Sequence, residues 1–227
     1  MTIHFARDLE SLQADISEMS KMASAVVRQS VATLEKPDLE LTRQLAASDD
    51  LIDLTDIRIN ESCLKILALH QPVAKDLRRI TSVLKISGEL ERIADVGINI
   101  AERGAALVNL PPLPLPRHLL DMAHKAALQL QRALEAYERM DRFAAAMVCG
   151  GDEEIDGLHR MTIDELTAVM KRDPRLVAPA MHLFSAARNI ERIGDHATNI
   201  AEDVIYLVDG RIVRHASSIS RFQRESA

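Results

Sequence analysis

Residues 91–102 read ERIADVGINIAE and residues 191–202 read ERIGDHATNIAE, identical at eight of twelve positions. A polar cassette repeated one hundred positions apart constrains the chain to fold as two copies of one unit. On a helix, positions four apart stack on one face. Glu91, Asp95 and Asn99 therefore share one stripe, and Glu191, Asp195 and Asn199 share another. Each stripe holds two carboxylates and an amide with no cation between them, which repels itself unless something positive sits on it.

The remaining periodicity is helical almost throughout. Leu9, Leu12, Ile16, Met19, Ala23, Val26 and Val27 recur at three- and four-residue spacing, and no alternating strand of useful length occurs. Only eight glycines punctuate the chain, which favours long helices. Lys36-Pro37-Asp38 ends a first helix, because the residue before proline resists the helical region. A second helix runs to about His70, and a third restarts at Gln71-Pro72 and carries the first cassette to about Val108. Asn109 to Pro116 holds four of the eight prolines and serves as a linker. The plan then repeats, with helices predicted over 117–147 and 152–171 around a Cys-Gly-Gly break. Asp173-Pro174 caps and opens a last helix, with the second cassette, to about Val208. The expectation is an all-α fold of two tandem three-helix bundles with six long helices. The bundles span 1–108 and 117–210, the linker 109–116, and a polar tail 211–227 contains Arg211, Arg214, Arg221 and Arg224.

A second set of acids falls in register with the repeat. DDLID at 49–53 and DEEID at 152–156 lie on the second helix of each unit. Carboxylates four apart occur at 49/53, 91/95, 152/156 and 191/195, one pair on each second and third helix. Antiparallel packing of those helices brings two pairs together in each bundle, where several carboxylates are costly unless a cation neutralises them. Two sites are implied: Asp49, Asp53, Glu91, Asp95 and Asn99, then Asp152, Asp156, Glu191, Asp195 and Asn199. Asp203 extends the second stripe, whereas Arg103 stands at the corresponding place in the first. Oxygen donors suit magnesium, manganese, iron, or zinc in a carboxylate-rich setting. Acid pairs on helices are ordinarily solvated faces, and Arg92 and Arg192 offer structural ion pairs instead. Against that, the stripe borders the apolar arc of Leu90, Ile93, Ala94 and Ala101, and its counterpart in the second half, rather than lying opposite it.

Other functions find little support. The net charge of −6 and 3% aromatic content argue against nucleic-acid binding. No apolar run is long enough to span a bilayer, and the amphipathic acidic start is unlike a signal peptide, so a cytoplasmic protein is expected. Cys63 and Cys149 fit packed thiols. No phosphate-cradling loop or catalytic triad can be proposed from spacing, so no enzyme is expected. Asp121/His124 and Asp156/His159 have the i, i+3 spacing of di-iron bundles, but neither recurs in the other half, and both histidines read as lone surface residues. His196 points away from the stripe.

Two bundles, each with an ERIxD cassette followed by Asn-Ile and preceded by DDLID or DEEID, resemble the PhoU family, regulators of phosphate uptake. The resemblance runs from about Phe5 to Gly210 and includes QPVAKDLR at 71–78. It implies multinuclear iron or zinc clusters, in some cases magnesium or manganese, at Asp49, Asp53, Glu91, Asp95, Asp152, Asp156, Glu191 and Asp195, with Asn99 and Asn199 beside them. It further implies a non-catalytic negative regulator of the phosphate-starvation response, linking the ATPase of a high-affinity phosphate ABC transporter to a membrane sensor histidine kinase. A homodimer attached to the inner membrane through its partners is expected. The alternatives are a carboxylate-bridged di-metal enzyme and an accessory protein of another phosphate transporter.

Overall fold

The computed structural model describes residues 3–213. Seven α-helices follow in order: α1 (Ile3–Glu35), α2 (Leu39–His70), α3 (Ala74–Ala106), α4 (Arg117–Arg139), α5 (Arg142–Cys149), α6 (Asp152–Arg172) and α7 (Val177–Asp209). Two short 3-10 turns, Leu107–Asn109 and Pro174–Leu176, precede the linker and α7, and no strand occurs among the described residues. Of the polar tail, residues 214–227 with Arg214, Arg221 and Arg224 lie outside the described residues.

The apolar spacing of α1 does what it predicts: Leu9, Leu12, Ile16, Met19, Ala23, Val26 and Val27 are all buried. They pack against α2 and α3 to make one three-helix bundle, and α4 to α7 make the other. Glycines let helices approach closely where a side chain could not fit. A Cβ on Gly104 would come within 2.7 Å of the Thr33 carbonyl oxygen, and one on Gly97 within 2.8 Å of a Val26 methyl.

The continuous helix expected over 117–147 is instead two helices. α4 ends at Met140, which adopts the left-handed region (φ 52°), and the Asp141 carboxylate then accepts hydrogen bonds from the Phe143 and Ala144 N–H groups to start α5. Asp38 caps α2 in the same way, through Glu40 and Leu41. The two caps are 103 positions apart (141 minus 38). Thus α5 and α6 together correspond to α2, and the Gly150-Gly151 break interrupts the second helix of the unit rather than separating its first from its second. Pro72 also lies outside a helix, in the three-residue link before α3. Steric restriction of Gln71 by the proline ring ends α2, and Gln71 closes it in the left-handed region.

The most extensive helix contact joins the two repeats, through the cassette helices α3 and α7. They run antiparallel, since Arg78 reaches Leu207 O (3.5 Å), Lys85 pairs with Asp203 (2.7 Å) and Glu89 meets Asn199 and His196 (3.0 and 2.8 Å).

Helix propensity and packing make opposite demands on glycine, and the two can be separated. Gly104→Ala should cost about 1–3 kcal/mol because a methyl there meets rigid backbone. Gly88→Ala, with open space at its Cβ position, should gain up to about 1 kcal/mol. Urea denaturation of the two variants measures both; equal effects would contradict the close approach of α1 and α3.

Candidate metal centre

The first acid cluster lies where α2 passes α3. Burial, followed by the charges of Asp95, Asp53 and Asp50, pushes the Asp49 carboxyl up. Glu91 is raised by burial and by the charges of Asp95, Asp53 and Asp56, with Arg92 opposing. Asp95 is raised by burial and Asp53, against a lowering influence of Arg192 on α7. The like charges of this group are thus incompletely compensated.

The second cluster lies at the start of α6 against α7. Burial raises the Asp152 carboxyl, aided by Asp156 and Glu191, while the Thr198 hydroxyl donates to it at 3.4 Å and pulls the other way. Thr198 is itself held by the amide of buried Gln129 (3.0 Å). Asp195 is open to solvent at one side, yet partial burial, then Asp152, Glu191 and Asp156, push its carboxyl up to about 6.

The eight paired carboxylates therefore gather into two groups of four. The remaining sequence candidates are placed differently. Asn99 donates to the carbonyl of Asp95 in its own helix at 2.8 Å. Asn199 donates to Glu89, and Asp203 pairs with Lys85, so both side chains face α3 across the repeat junction. His196 also turns to Glu89.

Two residues join the clusters that the sequence reading left out. Asp56 acts on Glu91 in the first, and His159 Nδ1 lies 3.6 Å from Glu191 Oε1 in the second. Read at the 103-residue offset set by the helix caps, Asp56 and His159 are equivalent positions. The offset of 100 that aligns the cassettes conceals this, which is why His159 reads as unrepeated. Both carry a buried atom without a hydrogen-bond partner, Asp56 Oδ1 and His159 Nε2, and so does Asp49 at Oδ1.

Orphaned buried donors and acceptors beside unrelieved carboxylate charge fit a bound cation. The donor sets are all oxygen in the first cluster, and oxygen with one imidazole in the second. As the side chains stand, no three carboxylate, imidazole or thiol groups among the described residues converge closely enough to hold an ion. Binding would require rotation of these partly exposed side chains.

The profile of the PhoU domain matches residues 16–104 and again 119–204, one match on each bundle. The chain belongs to the PhoU family. Among its relatives, the "Phosphate-specific transport system accessory protein PhoU homolog" of Rhizobium meliloti is 38% identical over 207 residues, covering 91% of this chain and 87% of that protein. The Pseudomonas aeruginosa protein of the same description is 35% identical over 224 residues, covering 97% and 91%. The crystal structure of PhoU from Pseudomonas aeruginosa superposes with a TM-score of 0.85 at 34% identity, over 91% of this chain and all of that one. The Streptococcus pneumoniae phosphate transport system regulatory protein PhoU shares the fold, with a TM-score of 0.86 at 23% identity over 92% of this chain and 99% of that one. PhoU proteins are accessory and regulatory proteins rather than enzymes.

The raised carboxyls give the chelated protein a defined pH response. Asp195 has a folded-state pKa of about 6 against an ordinary 3.8, so the folded state binds the proton more tightly. Its ionisation penalises folding as pH rises through that window, and the penalty vanishes below it. In chelator, Asp195→Asn should therefore raise Tm at about pH 7 and lose that advantage near about pH 4. Parallel wild-type and variant Tm profiles would contradict the crowding of Asp195.

Proposed function

We propose that this chain is a metal-loaded adaptor of phosphate transport that keeps the phosphate-starvation response off when phosphate is plentiful. The observation that carries the reading is the pair of equivalent, under-compensated acid clusters, one per repeat, in a chain of the PhoU family. Relatives across several bacteria are described as accessory proteins of phosphate-specific transport.

In this reading Asp49, Asp53, Asp56, Glu91 and Asp95 hold the first site, and Asp152, Asp156, His159, Glu191 and Asp195 hold the second. Iron or zinc suits the imidazole-containing set, and magnesium or manganese can occupy an all-oxygen one. The bound ions supply neutralising charge and tie α2 to α3 and α6 to α7. The chain's own contribution is a rigid frame, because each cluster draws its carboxylates from two helices packed into one bundle.

The adaptor docks the ATPase of a phosphate ABC transporter and a sensor histidine kinase, as a homodimer held at the inner membrane through these partners. No helix among the described residues is long and apolar enough to cross a membrane.

The test is alkaline phosphatase output from a phosphate-starvation promoter in phosphate-rich medium, with the gene deleted and then restored. Output should rise on deletion and fall on restoration. Output that stays low throughout, with the gene demonstrably expressed, would remove the chain from the signalling circuit.

A further inference from the structure

α2 is apolar on two opposite faces. Its inner face buries Leu45, Ile52, Ile59, Cys63 and Ile66 in the first bundle. Its outer face exposes Leu54 (63%), Ile57 (53%) and Leu64 (61%). A helix carrying a second apolar stripe opposite its core face has something more to bury it against.

The outer residues follow the alternating three- and four-residue steps of a coiled-coil seam: Asp50, Leu54, Ile57, Glu61, Leu64. The repeat supplies an internal control. At the same scaffold positions, 103 residues on, α6 has Glu153, Gly157, Arg160, Asp164 and Thr167. That helix packs its own bundle with no such stripe, so the bundle fold does not demand Leu54, Ile57 and Leu64. They are a property of α2 alone.

We propose that the outer face of α2 docks an amphipathic helix of a partner protein, one whose apolar seam carries lysine or arginine opposite Asp50 and Glu61. The charge pattern selects this occupant. Among the described residues neither the Asp50 nor the Glu61 side chain makes a hydrogen bond or ion pair, and a carboxylate closed into a helix seam is tolerated only against a cation. A second copy of α2 brings leucines but offers no cation within the seam, since its seam residues there are the same two acids. The nearby Arg58 is engaged by Asp15 and Glu18 of its own bundle, at 3.2 Å each. The surface rests on α2 alone and goes beyond the metal-adaptor reading, standing whether or not the clusters hold ions, because neither Asp50 nor Glu61 is among the residues assigned to hold them.

The test uses the full chain and two synthetic three-heptad helical peptides with leucine and isoleucine seams. One places lysine at the two seam positions facing Asp50 and Glu61; the other places glutamate there. Titration calorimetry should show the lysine peptide binding about tenfold or more tightly than the glutamate peptide, as expected for opposite against like charges in a closed seam. Asp50→Lys/Glu61→Lys should invert that preference. Leu54→Ser/Ile57→Ser/Leu64→Ser should lose both peptides while keeping its helix content by circular dichroism, since all three side chains face solvent. Equal affinity for the two peptides, binding of neither by the wild-type chain, or unchanged binding by the serine variant would each overturn the proposal. Sedimentation giving a wild-type dimer that the serine variant abolishes, without peptide binding, would assign the face to a second copy and overturn it as well.

Discussion

The antiparallel contact between α3 and α7 fixes nearly everything else in this molecule. Each helix is the innermost element of its own bundle, and together they set how one repeat lies against the other. Both helices bury apolar side chains, among them Ile86, Leu90, Ile93, Ile193, Ile200 and Val204. Its register is written in polar pairs: Lys85 with Asp203, and Glu89 with both His196 and Asn199. The Glu89 and His196 side chains are only 13% and 14% exposed. A carboxylate that far from water is expensive without its partners, so sliding one helix along the other strands it. Against the raising effect of burial, the hydrogen bonds from His196 and Asn199, together with the charges of His196 and Arg92, hold the Glu89 carboxyl below its ordinary range.

The acid clusters inherit their positions from that frame, and the repeats do not make them alike. In the second cluster Gln129 holds Thr198, and Thr198 holds Asp152. The first cluster has Ile98 where the second has Thr198, and there the charge of Asp95 bears on Asp49 with no hydroxyl at that position. Arg192, from the second repeat, lowers Asp95 across the junction. Two sites built on one repeated pattern of acids thus differ in their neutral supports and in the exchange of Asp56 for His159. The same divergence separates the outer faces of α2 and α6, one lined with leucines and the other with polar and small residues.

Much of this was legible in the sequence because helical periodicity and an internal repeat are both one-dimensional signals. The buried face of α1, the end of the first helix before Pro37 and the grouping of the eight paired carboxylates follow from spacing. What spacing concealed came from a shift in the repeat register. The cassettes align at 100 residues, while the second helices align at 103, so Asp141 was not recognised as a helix cap and His159 was not matched to Asp56. Met140 adds to the difficulty, since methionine carries no sequence signal for the left-handed conformation that ends α4. The engagement of Asn199 and Asp203 by Glu89 and Lys85 was out of reach for another reason. It depends on how the two bundles dock, and neither stripe says which helix of the other repeat it will meet.

The proposed function requires a cation to satisfy the two carboxylate clusters. The direct measurement is element analysis of protein purified without chelator, comparing the wild-type chain with Asp95→Asn/Asp195→Asn, and checking helix content by circular dichroism. Stoichiometric metal is expected in the wild type and much less in the double variant, with helix content largely unchanged. A wild-type chain that carries no metal and takes up none on titration with iron, zinc or manganese would contradict it, and equal metal in the two proteins would place the ligands elsewhere.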